Sequence, residues 1–197
     1  HAVFTMIKLG VLGSTNGTDL QAIIDAINTG KLKADVSIVI SNNQNAYILK
    51  RANNHNLPSV FISHKNKSRV LFDREVTTEL KKADVDLVLL IGFMRILSSD
   101  FCETWQDKLL NVHPSLLPKY AGGMDLNVHE EVLKNRETET GCTIHFVTNE
   151  LDSGPILIQK KCVVEKNDTE HSLKKKVQKL EGEAFIDAIQ LIQNKHS

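Results

Sequence analysis

Apolar positions along the chain follow two alternating rhythms. Ile7–Gly13, Asp35–Ser41, Pro58–Ile62 and Val85–Phe93 are short, mostly apolar runs and read as buried strands. Between them the spacing is helical. Leu20, Ile23, Ile24 and Ile27 stand at i, i+3, i+4 and i+7, one face of a helix that Gly30 stops. Asn45–His55 and Ser68–Ala83 read as the next two helices. Strands alternating with helices of about ten to sixteen residues predict right-handed βαβ units and a parallel sheet. After Gly92 the texture changes. Leu109–His113 reads as a strand and Leu126–Asn135 as a short helix. Gly141–Val147 and Gly154–Val164 read as two strands joined by the loop Thr148–Ser153, and Thr169–Lys195 as a long terminal helix or helix pair. There is no repeat, low-complexity tract or Pro/Ser-rich linker. The expected fold is α/β: a Rossmann-like, mostly parallel twisted sheet with helices on both faces, extended by a mixed C-terminal part. It is expected to form one domain over 1–197, whose halves, 6–105 and 106–197, share a sheet.

Composition narrows the function classes. Of 197 residues, 41% are hydrophobic, enough for a sizeable core. Lys+Arg and Asp+Glu are equal at 24 each, so no basic excess points to nucleic acid or a membrane surface. No apolar run approaches the roughly 18 residues of a membrane span, and the N-terminus lacks signal-peptide character. Residues 1–5 read as a non-native leader ahead of Met6. Cys102, Cys142 and Cys162 are odd in number, widely spaced and without a Cys-x-x-Cys pair. This disfavours a disulfide scaffold or zinc site and points to a reducing cytoplasm.

Ligands of an open parallel sheet bind beyond the carboxyl ends of its strands, and three features collect there. Gly13–Leu20, GSTNGTDL, runs from a strand into a helix N-terminus, where backbone N–H groups and the helix dipole suit phosphate. The stretch is neither G-x-G-x-x-G nor a P-loop, and an ordinary turn with Thr18 or Asp19 as N-cap explains it equally well. Gly92–Leu97, GFMRIL, suits a flat heterocycle, although an ordinary connection with Arg95 in a surface ion pair is as consistent with the pattern. In the third, Asn111 and His113 stand at i and i+2 of a strand and so share a face. Pro114 and Pro118 restrict the backbone behind them, and Gly122 and Gly123 let the next loop bend. Asp152, in the tight loop between the last two strands, is a candidate partner that raises the His113 pKa and tunes an acid/base. His64, His129 and His171 read as surface residues, and His145 as core or site-lining. His129-Glu-Glu-Val-Leu133 is not H-E-x-x-H, and no metal site is expected.

In chain order, DLQAIIDAI, GFMRILS, NVHPSLLPKYAGG and HFVTNELDSGPILIQ together resemble the glycinamide ribonucleotide formyltransferase family. The resemblance runs from Ile7 to Ile192. It implies transfer of formyl from 10-formyltetrahydrofolate to the amine of glycinamide ribonucleotide in purine synthesis. It implies Asn111, His113 and Asp152 as the catalytic set. It places the nucleotide phosphate and ribose at Gly17, Thr18, Asp19, Gln178 and Glu181. It places the folate at Arg69, Met94, Arg95, Ile96, Leu97, Asn111, Val147, Thr148, Asn149, Glu150 and Leu151. It implies small-molecule partners and no metal, in a cytoplasmic monomer or homodimer. Asn111 and protonated His113 would donate to the oxyanion on the formyl oxygen, and Asp152 would hold His113 charged and position a proton-shuttling water. Three features depart from the family. Asp19 stands where the family often has Asn, and a carboxylate beside a phosphate is repulsive unless it turns away. The loop AGGMDLNV is longer than in the bacterial form, with Asn127 in place of a His. The C-terminus stops early, omitting a peripheral hairpin. Methionyl-tRNA formyltransferase and formyltetrahydrofolate hydrolase share Asn-x-His…Asp. The first carries an RNA-binding C-terminal domain, and the second a His where this chain has Pro114. A non-catalytic nucleotide or folate sensor would not need the trio.

Overall fold

A computed structural model describes residues 6–123 and 125–195. The leader expected at residues 1–5 lies outside them. The first half contains β1 (Ile7–Leu12), α1 (Thr18–Asn28), β2 (Ala34–Ser41), α2 (Tyr47–Asn54), β3 (Ser59–Phe61), α3 (Arg69–Lys82), β4 (Leu87–Leu90) and α4 (Ser99–Thr104). The second contains β5 (Leu109–His113), α5 (Asp125–Lys134), β6 (Glu139–Phe146), β7 (Ile156–Val163) and α6 (Glu170–Lys195). One seven-stranded sheet runs β3-β2-β1-β4-β5-β6-β7. Every pair from β3 to β5 is parallel, and β5–β6 and β6–β7 are antiparallel. The strand order reverses between β1 and β4, the switch point at which such sheets open a crevice.

Side chains alternate between two apolar layers, as a period of two requires. Leu87 and Leu89 join Leu9, Val11 and Val39 beneath α1, α2 and α6. Val88 and Leu90 join Leu12, Ile38 and Ile40 beneath α3 and α4, with Phe72, Val76, Phe101 and Trp105. Each such Leu, Val or Phe contributes about 1.5–3 kcal/mol by burial, so both layers hold the sheet flat against its helices.

Three elements differ from the sequence reading. The strand expected over Val85–Phe93 is a regular strand only over Leu87–Leu90. Gly92 turns the chain away at φ 61, where an added Cβ would lie 2.7 Å from the Thr15 hydroxyl. The terminal segment is one helix of 26 residues, not a pair. Helix α4 went unread because six residues are too few to display a period; Ser98 caps it by accepting from the Phe101 N–H. Among the described residues, no helix is long and apolar enough to cross a membrane.

Candidate active site

The pairing of β5 with β6 assembles the polar centre. Asn111 lies opposite His145 and His113 opposite Thr143. The β6–β7 loop returns Asp152 over them: its Oδ2 lies 3.4 Å from His113 Nε2, and its Oδ1 lies 3.9 Å from His145 Nε2. All three side chains are at most 7% exposed. Asp152 takes a positive φ of 53, a conformation that Asp tolerates better than most residues. The Gly122 N–H, from the turn after β5, donates to Asp152 Oδ2 at 2.6 Å.

Hydrogen-bond partners fix the protons. The Ser115 hydroxyl donates its one hydrogen to the Lys119 carbonyl at 2.5 Å. Its oxygen can therefore only accept from His113 Nδ1–H, 2.9 Å away. The variable proton of His113 is thus on Nε2, facing Asp152. His145 Nδ1 faces the Phe146 carbonyl at 3.0 Å, so that nitrogen carries hydrogen. In the neutral ring His145 Nε2 then accepts from Asn111 Nδ2 at 3.3 Å, which leaves the second amide hydrogen of Asn111 for a ligand. The turn beyond His113 is pinned in turn. Thr143 Oγ1 donates to the Ser115 carbonyl and accepts from Leu117 N–H, and Tyr120 Oη donates to Glu137. The Leu117–Pro118 peptide is cis.

On one flank lies the loop between β1 and α1. The N-cap of α1 is Gly17 in the left-handed region, φ 68, rather than Thr18 or Asp19. A Cβ at Gly17 would overlap the Ile48 side chain, so the loop has neither the conformational freedom nor the space for another residue. Gly17→Ala is expected to cost about 1–3 kcal/mol, from the left-handed backbone and the crowding, and to lower the melting temperature by several degrees in calorimetry. Thr18 is exposed at the first helical position, whereas Asp19 is buried at 5% exposure. The Asp19 and Glu181 carboxylates, after burial itself, push the Cys142 thiol pKa upward, so both lie on the β6 side of α1. Helices α1 and α6 run the same way. A Cβ on Gly182 would sit 2.6 Å from Ala22 Cβ, and Gln190 Nε2 donates to the Lys31 carbonyl beyond the end of α1. The preceding turn of α6, carrying half-buried Gln178 and buried Glu181, therefore flanks the first turn of α1.

On the other flank, Phe93–Leu97 forms an open apolar rim, with Met94 53% and Ile96 66% exposed. The Arg95 guanidinium lies over the Phe72 ring, 4.5 Å from its centroid, rather than in a surface ion pair. Arg69, exposed, stands one turn before Phe72 on α3. Half-buried Val147 continues β6 through its N–H to the Leu109 carbonyl. Thr148, Asn149, Glu150 and Leu151 follow it on the surface, with Leu151 72% exposed. The expected residues thus form three neighbouring groups along the carboxyl edge of β1, β4 and β5.

The formyl transferase family profile matches residues 7–189. The chain belongs to the formyl transferase family. Phosphoribosylglycinamide formyltransferase of Escherichia coli (strain K12) is 44% identical over 169 residues, which cover 85% of this chain and 78% of that protein. The trifunctional purine biosynthetic protein adenosine-3 of Drosophila melanogaster is 43% identical over 190 residues, 95% of this chain. This chain spans 14% of that larger relative. The crystal structure of glycinamide ribonucleotide transformylase 1 from Symbiobacterium toebii superposes with a TM-score of 0.92 at 34% identity, covering 99% of this chain and 92% of that one. Within the formyl transferases, the chain groups with the phosphoribosylglycinamide formyltransferases.

In this formyl transferase two sequence expectations need correction. His129 is fully buried, not on the surface: α5 turns it inward with Val128 and Val132, the two residues that pack on Leu173 of α6. His64 is half-buried, with its Nδ1 3.4 Å from Asn42 Nδ2; His171 is exposed as expected. The sequence also left His145 undecided and passed over Ser115 and Thr143. The roles of His145 and Thr143 depend on strand register, and only the period-two pairing of Leu109–His113 with a following strand could have signalled them; Ser115 reaches His113 from two residues away. Among the described residues, no three His, Cys, Asp or Glu side chains group to hold a metal ion.

The expected rise in the His113 pKa is also reversed. Burial of the imidazole lowers it, and this outweighs the upward pull of the Asp152 carboxylate, while nearby His145 lowers it further. Below the ordinary His value of about 6.5, the unfolded chain therefore binds more protons at this site than the folded protein. Stability is retained above that value and lost as the pH falls from it toward the depressed folded value. Relative to a His113→Gln variant, the wild type is expected to lose melting temperature between about pH 7 and pH 5. Parallel melting curves for the two proteins would exclude this titration.

Proposed function

We propose that this chain transfers the formyl group of 10-formyltetrahydrofolate to the amine of glycinamide ribonucleotide. The products are formylglycinamide ribonucleotide and tetrahydrofolate, a step of de novo purine (IMP) biosynthesis. The observation that carries this reading is the buried His113–Asp152 side-chain pair, with half-buried Asn111 beside it, set between an anion-suited loop and an apolar rim. Residues 6–105 hold the nucleotide phosphate through Gly17, Thr18 and the first turn of α1, with Gln178 and Glu181 of α6 beside the ribose. The rim Met94–Leu97, the loop Val147–Leu151 and Asn111 receive the folate, and Arg69 and Arg95 supply cations for its carboxylates. Asp19, turned inward, leaves the phosphate to backbone N–H groups and Thr18.

The reaction is a direct acyl transfer. The nucleotide amine attacks the formyl carbon, and the carbonyl electrons move onto oxygen. Asn111 Nδ2–H and His113 Nε2–H donate to this oxyanion. Its negative charge raises the proton affinity of the imidazole as the transition state forms, which offsets the effect of burial. The bond from the formyl carbon to the folate nitrogen N10 then breaks, and that nitrogen takes the proton lost by the amine. Asp152 holds the water that carries the proton across. No covalent enzyme intermediate is required. The reading places the protein in the cytoplasm as a monomer or homodimer.

The test is a formyl-transfer assay with purified protein, glycinamide ribonucleotide and 10-formyltetrahydrofolate, following tetrahydrofolate release by absorbance. Release that requires the nucleotide supports the reading. Release without nucleotide makes the protein a formylfolate hydrolase instead.

A further inference from the structure

The two ligand loops are joined through one buried side chain. Ser14, the second residue after β1, is 7% exposed. Its N–H donates to the Gly92 carbonyl at 3.0 Å, and its oxygen accepts the Met94 N–H at 2.9 Å. Its single hydroxyl hydrogen goes to Asn42 Oδ1, 2.6 Å away, at the end of β2. Asn42 Nδ2 lies 3.4 Å from His64 Nδ1, and the His64 ring meets Phe72 edge-on at 6.5 Å. Phe72 stacks on Phe93 at 6.4 Å and carries the Arg95 guanidinium. The path is closed: from Ser14 through Asn42, His64 and Phe72 to Phe93 and Arg95, and back through Met94. It encircles the root of the heterocycle rim and begins inside the phosphate loop.

We propose that Ser14, held by Asn42, is a positioning residue that couples the two substrate loops, so that a ligand in one strengthens binding in the other. The inference rests on the proposed assignment of nucleotide to the first loop and folate to the second. The Ser14 hydroxyl is spent within the protein and acts through Met94. A phosphate gathered by the N–H groups after Gly13 fixes the Ser14 backbone, and with it Gly92 and Met94. The second ligand then meets a rim that is already ordered, so less ordering entropy opposes its binding. Such coupling is reciprocal: each ligand tightens the other by the same factor.

The test uses two ligands that cannot react together, glycinamide ribonucleotide and tetrahydrofolate. Calorimetry gives the tetrahydrofolate Kd with and without saturating nucleotide, for wild type, Ser14→Ala, Asn42→Ala and the double variant. The wild-type ratio is expected to be about fivefold or more. Ser14→Ala should bring it close to one, Asn42→Ala should lower it, and the double variant should add nothing to Ser14→Ala. Where Ser14→Ala fails to fold, Asn42→Ala carries the same test with Ser14 in place. A residue that only stabilises the fold would lower the melting temperature and leave the ratio unmoved. A ratio unmoved by both substitutions, or a wild-type ratio of one, overturns the coupling alone. Failure of wild type to bind the nucleotide overturns the functional reading and the coupling together.

Discussion

His113→Ala is expected to lower kcat by about 10²–10³, the usual cost of one oxyanion donor. In the proposed mechanism that donor is Nε2–H: Ser115 takes the Nδ1–H, and Nε2 faces Asp152. The contact to the formyl oxygen strengthens only as charge develops, so kcat and kcat/KM should fall by a similar factor. Binding of glycinamide ribonucleotide and tetrahydrofolate should change little, because the Gly122 N–H still holds Asp152 and its loop when the ring is gone. The fold should persist, since β5 is held on both sides by strand pairing and the turn behind it by Thr143 and Tyr120. Steady-state kinetics and a melting curve on the same preparation check both statements. A cooperative melt with turnover within tenfold of wild type would remove His113 from the mechanism.

Asp152→Asn should be comparably damaging, by about 10²–10⁴, because it removes a proton-transfer group while keeping its shape. The amide oxygen can still accept the Gly122 N–H, so the loop should stay docked. What disappears is the negative charge beside His113. That charge raises the His113 pKa against burial and against His145. Without it the imidazole titrates lower still, and fewer molecules carry the proton that the oxyanion requires. Histidine NMR titration should show this downward move in the variant, alongside the fall in kcat. An unmoved titration with full turnover would show that the carboxylate neither tunes His113 nor relays the proton.

Much of the frame was legible because it repeats locally. The i, i+3, i+4, i+7 face of Leu20–Ile27 and the apolar run of β4 declare helix and strand without reference to distant residues. Chemistry was legible where it was contiguous. Asn111 and His113 share a face by the period of a strand, and a rigid turn follows them. Less was legible where one residue depended on another far along the chain. The sequence reading gave Asp152 the upper hand over the His113 pKa, because a charge can be read from sequence while the depth of burial cannot. His129 reads as a surface residue along the chain; the packing of α5 on α6 turns it inward.

The sequence by itself determined the alternation of strands and helices, the glycine turn ahead of α1 and the Asn-x-His-Pro strand end. Each depends on backbone preferences and side-chain periodicity that act within a few residues. Tertiary structure alone decided that His145 orients Asn111, that Thr143 pins the turn at Ser115 and that Ser14 joins the loops after β1 and β4. Those roles rest on hydrogen bonds between groups as much as 80 residues apart. Their geometry follows from sheet register, which the whole apolar core selects at once.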